Sequence, residues 1–209
     1  PVPIPPFPEQ EGFKQPMRLR ETMKREQAVA MLAFRGMRID DPRRYAYLVL
    51  NAVMSGSAGR LYQNIRGVHG MSYVINSGLQ MGVDPGHFAM YAGVKPDEGD
   101  RALDLLTEEA VRLRTGGITD DELKQAQAQL IGNHEQSLES RSAVLQEAVT
   151  DEILGLGYDE MDRFADGIRS VTRGDVESVI QEFINPDHSV GLVVAPSPEP
   201  TAGAPRSKA

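Results

Sequence analysis

A chain of 209 residues with 40% hydrophobic content is long enough to bury one sizeable core. Its 22 Lys plus Arg against 30 Asp plus Glu give a net charge of -8 with no clustered basic stripe, which argues against a nucleic-acid partner. With no cysteine it forms no disulfide, thiolate nucleophile or sulfur-ligated metal site, no apolar run approaches the roughly 18–20 residues of a membrane span, and the compartment stays undetermined.

The first sixteen residues contain six prolines, which lack the donors and backbone freedom for a helix or an inner strand. Residues 1–19 therefore read as an interdomain linker, with the expectation that another domain precedes it. Residues 20–195 read as one domain and 196–209, PSPEPTAGAPRSKA, as a disordered tail. Within the domain, the dense apolar run 27–37 predicts a buried central strand. Asp41-Pro42 then supplies an N-cap and a first-turn proline for a helix with apolar positions at Tyr45, Leu48, Val49, Ala52 and Val53. A short helix follows over 60–66 and stops at Gly67. Strands 71–81 and 87–94, joined by a Gly- and Pro-containing turn, predict an antiparallel hairpin.

From Pro96 onward the pattern is helical. Residues 97–114 carry an apolar stripe at Ala102, Leu105, Leu106 and Ala110 and end at Gly116-Gly117. Thr119 stands three residues before Glu122, the capping-box spacing, and opens a helix towards Leu138. Further helices are expected over 141–154, 158–170 and from Thr172 to Asn185-Pro186, and 188–194 closes as an apolar strand. The order implies α+β, a mostly antiparallel sheet with helices packed on one face.

Most residues with reactive side chains fail on spacing. The histidines are His69, His87, His134 and His188, and none has the two-histidine spacing of a zinc motif; where His134-Glu135 would need its second histidine the chain has Leu138. The pair reads as a solvated helix surface. Gly56-Ser57-Ala58-Gly59 lacks the spacing of a nucleophile elbow, and neither glycine-rich loop carries the Gly-Lys-Ser/Thr of a phosphate cradle. Asp120/Asp121 and Glu108/Glu109 read as dipole complements and surface charge. Arg66 and Tyr73 remain, one at the end of a helix and one at the start of a strand, with helix-dipole complementation and ring packing as their plain structural roles.

The run VMSGSAGRLYQNIRGVHGMSYVINS, residues 53–77, resembles the signature of the C-terminal-type domain of the pitrilysin/insulinase metallopeptidases, which include the mitochondrial processing peptidases. The matching pieces are Arg60-Leu61-Tyr62-Gln63-Asn64-Ile65-Arg66 and Gly70-Met71-Ser72-Tyr73, then Gly117-Ile118-Thr119-Asp120-Asp121-Glu122-Leu123 and Val171-Thr172-Arg173-Gly174-Asp175-Val176. The likeness covers roughly residues 20–195. Such proteins pair two homologous halves around a peptide chamber, with zinc held in the N-terminal half by His-x-x-Glu-His. This chain has no such motif, so the resemblance implies the non-zinc half, with no metal or cofactor of its own, zinc in a homologous partner domain or subunit, and a peptide substrate. It implies that Arg66 and Tyr73 stabilise the transition state or the substrate carbonyl. His69, where many relatives carry charged residues, is a candidate substrate contact or an exposed turn residue. The alternative within the family is a catalytically inactive scaffold or assembly domain.

Overall fold

The computed structural model describes residues 13–67 and 72–196. Five strands, β1 (Met17–Met23), β2 (Ala28–Arg35), β3 (Ser72–Gln80), β4 (His87–Val94) and β5 (Ser189–Pro196), form one sheet in the order β1-β5-β2-β4-β3. β1 runs parallel to β5, and every other pair is antiparallel. The helices are α1 (Arg44–Met54), α2 (Gly99–Gly116), α3 (Asp120–Ser137), α4 (Arg141–Ile153), α5 (Glu160–Ser170) and α6 (Arg173–Phe183). α1 and α2 lie on the sheet, α3, α5 and α6 pack on α1, and α4 touches α5. The fold is the expected α+β with helices on one face.

Period-two alternation places the core. In β2, Ala28, Ala30, Leu32 and Phe34 point under the helices, while β4 contributes Phe88, Met90, Ala92 and Val94. Tyr47, Leu50 and Met54 of α1 and Leu105, Leu106 and Leu113 of α2 close over them. Tyr47 meets both Phe88 and Phe183, with ring centroids 6.2 and 5.6 Å apart. The opposite face of the sheet carries no helix among the described residues and exposes Met17, Leu19, Met23, Val29 and Val74.

Several boundaries differ from the sequence reading for identifiable reasons. β1 begins at Met17, inside the stretch read as linker. None of its side chains is buried, so it carries no core signature. It is held by backbone pairing to β5 and by Arg18, whose guanidinium reaches Asp104 at 2.9 Å and Asp100 at 3.1 Å on α2, with Arg20 also on Asp100. α1 starts at Arg44 rather than after an Asp41 cap, because the Asp41 carboxylate accepts from Arg43 N at 2.8 Å in the preceding turn. His134 is not a solvated surface residue: it lies stacked on Phe164, centroids 4.1 Å apart, with Nε2 2.8 Å from Glu147.

The capping box is formed as expected: Thr119 Oγ1 accepts from Glu122 N at 3.2 Å, and Glu122 Oε2 accepts from Thr119 N at 2.7 Å. Thr172 and Asp175 repeat the arrangement at the start of α6. The Thr119→Ala variant is expected to lose about 1 kcal/mol and to melt about 2–4 °C lower, read by thermal unfolding monitored by circular dichroism; an unchanged melting temperature would contradict the cap's role.

Candidate functional site

Between α1 and β3 the chain turns at Gly56, whose φ of 79° suits glycine, and enters a π-helical segment, Tyr62–Gly67, that carries Arg66. A π-helix widens the backbone ring and packs less favourably than an α-turn, so it persists only where its surroundings hold it. Here four side chains do so. Leu61 and Ile65 are fully buried in the core. Arg60 grips Glu122 of α3 through two contacts, one of them Nη2 to Oε2 at 2.7 Å, and Asn64 Nδ2 donates to Glu109 Oε2 of α2 at 2.9 Å. Glu122 thus caps α3 and, through Arg60, holds the turn that leads into the π-segment.

The charges are set by these contacts. The hydrogen bonds it donates to Glu122 hold the Arg60 guanidinium above its usual pKa. Burial pushes the Glu122 carboxyl up, but the hydrogen bonds from Arg60 and Thr119 outweigh it and leave it below its usual range. Glu109 is almost completely buried, 1% exposed, and its second oxygen, Oε1, has no partner among the described residues. This corrects the sequence reading of Glu109 as surface charge, while Glu108 is exposed as that reading has it. Helix arithmetic held the signal: Glu109 stands four residues after Leu105 and four before Leu113, on the apolar stripe.

Tyr73 is placed by a second irregularity. Ser72 pairs with Val94 and Val74 with Gly93, so the register shifts between them and Tyr73 is the extra residue of a bulge. Arg66 and Tyr73 therefore occupy a π-helix and a β-bulge on either side of one short connection. That connection, residues 68–71, lies outside the described residues, and His69 with it; the same holds for the side chains of Arg66 and Tyr73.

Elsewhere, a cavity of about 420 Å³ opens at the far end of β2, beside Arg35, Arg38, Asp41 and Glu182. Of the charges there, Arg38 pairs with Asp40, and Asp41 and Glu182 are both held by Arg43. Among the described residues no group of three or more His, Cys, Asp or Glu side chains could hold a metal ion. None of their helices is long and apolar enough to cross a membrane.

The sheet, its helix layer and the two irregular segments make a helix-backed α+β domain. Residues 1–130 match the family model described as the peptidase M16 inactive domain, and the chain belongs to that family. It is 30% identical over 81% of its length to an uncharacterized zinc protease of Streptomyces coelicolor and 26% identical over 84% to the uncharacterized zinc protease YmxG of Bacillus subtilis. It spans 37% and 43% of those two relatives, less than half of each. The solved M16 inactive domain from Pseudomonas fluorescens superposes with a TM-score of 0.81 at 21% identity, covering 91% of this chain and 45% of that one. The pitrilysin/insulinase resemblance, its non-zinc domain and the fold are thereby established.

Proposed function

We propose that this chain is the substrate-clamping half of a zinc-dependent endopeptidase, completing a peptide-cleaving site whose metal is held by a homologous half. The observation that carries the reading is the placement of Arg66 and Tyr73 on a π-helix and a β-bulge, backbone devices that set side chains at functional sites. A peptide carbonyl under attack gains negative charge on oxygen, and a guanidinium or phenol O–H aimed at it stabilises that charge more than the ground-state carbonyl. Arg66 and Tyr73 are the donors, with Arg66 also able to grip a neighbouring substrate carbonyl.

Two further features favour a partner half. The relatives named zinc proteases are about twice as long as this chain. The uncovered sheet face presents Met17, Leu19, Met23, Val29 and Val74 together, the kind of contiguous apolar surface that docks another domain.

The test is a fluorogenic assay on an unstructured peptide, using this domain alone, the zinc-bearing half alone, and the two assembled, each with and without chelator. Cleavage only by the assembly, abolished by chelator, is the expected result. Silence in an assembly shown to form by light scattering would overturn the clamp and leave the scaffold.

A further inference from the structure

We infer that Glu109 is a positioning residue for the segment that carries Arg66, an inference that rests on the clamp reading above. A carboxylate on the apolar stripe of α2, 1% exposed, is costly to bury, and an apolar side chain would fill the same place at less cost. Its one engaged oxygen, Oε2, does two things: it accepts from Asn64 Nδ2 at 2.9 Å and pairs with Arg112 Nη2 at 3.0 Å. Arg112 sits on the same helix, half exposed, and partly neutralises the charge without fixing anything outside α2. The contact that reaches another element is the one to Asn64, two residues before Arg66 and inside the π-segment.

The consequence is geometric. Successive residues on an α-helix are rotated by roughly 100°. A π-segment that relaxes to the α-register therefore turns every following residue by about that angle about the axis, which moves Arg66 off its position even if the core stays packed. Leu61 and Ile65 bury the segment without specifying its hydrogen-bond register, because apolar contacts are non-directional. Among the directional holds, Arg60 on Glu122 stands before the π-segment and Gln63 Nε2 on Ser57 O, at 3.4 Å, within it, while Asn64 on Glu109 ties the segment to α2. Glu109 thus fixes from beneath where the Arg66 backbone stands.

The experiment uses the complete zinc-bearing protein with Glu109→Leu, which removes the acceptor and keeps the volume, and Asn64→Ala, each alone and combined with Arg66→Ala. Asn64→Ala keeps the buried carboxylate and covers the case in which Glu109→Leu fails to fold. Each variant is expected to lower kcat roughly 10- to 100-fold with KM little changed, and to add almost nothing in the Arg66→Ala background, since both act through the same residue. Hydrogen exchange of the 62–67 amides should rise while α2 stays protected. Full additivity with Arg66→Ala, or wild-type kcat together with unchanged exchange, overturns the inference. If Arg66→Ala is itself fully active, the clamp reading falls, and exchange then decides alone: unchanged protection of 62–67 in both variants sinks the positioning role as well.

Discussion

In the complete zinc-bearing protein, Tyr73→Phe is expected to lower kcat roughly 10- to 1,000-fold, the scale of one lost oxyanion donor, with KM nearly constant and the melting temperature unchanged. The substitution removes one O–H and keeps the ring, so packing, strand propensity and the bulge are retained. What it deletes is a donor whose partner exists fully only when the carbonyl oxygen has become negative. An interaction made only in the transition state leaves ground-state binding alone, so the loss falls on kcat rather than on KM. A rise in KM at constant kcat would instead mean that the phenol grips the resting substrate. Unchanged activity would remove Tyr73 from the chemistry and leave it as a ring in a strand.

That prediction depends on two residues readable from the sequence and on a setting that was not. The Arg66 and Tyr73 positions follow from motif order, and the capping box at Thr119 follows from spacing, because both are local. The π-register of Tyr62–Gly67 is not local: it is selected by Glu109 and Glu122, 45 and 62 residues away from Asn64 and Arg60 respectively. The bulge at Tyr73 exists only relative to the partners of Ser72 and Val74 on β4. β1 escaped the reading for a related reason, since an exposed edge strand held by backbone pairing and by arginines on α2 leaves no apolar pattern. Glu109 was legible by helix phase, but a carboxylate on a helix is ordinarily read as solvated, and that default outweighed the phase. His134 likewise reads as surface until Phe164 and Glu147 are brought beside it.

The second large effect is on stability. Glu160→Ala is expected to cost about 3 kcal/mol and to lower the melting temperature by about 6–12 °C. Glu160 opens α5, where the helix dipole favours its charge, and its side chain is only 7% exposed. From α1 it accepts Arg44 Nη2 at 2.5 Å and the Tyr45 hydroxyl, and Arg163 of its own helix approaches to 3.2 Å. Tyr45 packs closely on α5 because residue 167 is glycine: a Cβ there would stand 2.3 Å from the Tyr45 ring. Removing the carboxylate leaves a mostly buried guanidinium and a hydroxyl without their acceptor, and that penalty, rather than the net worth of the ion pair, sets the size of the loss. Burial and the bond to Glu160 together push the Tyr45 phenol up to about 12, so it stays a donor at any ordinary pH. Burial also pushes the Glu160 carboxyl up, but the hydrogen bonds from Tyr45 and Arg44 outweigh it and leave the group below its usual 4.5. A carboxylate lowered in the folded state contributes stability that is fully present above its unfolded value and is lost as the pH falls through the folded one. The gap in unfolding free energy between the wild type and Glu160→Gln should therefore be constant above about pH 5 and shrink steadily below 4.5. Taking the difference matters, because Glu122, Asp41, Asp100 and Asp175 are lowered too and contribute the same acid slope to both proteins. Urea unfolding from pH 7 to pH 3 measures the gap directly, and a gap independent of pH would mean that Glu160 acts through shape and hydrogen bonding, with its charge contributing nothing.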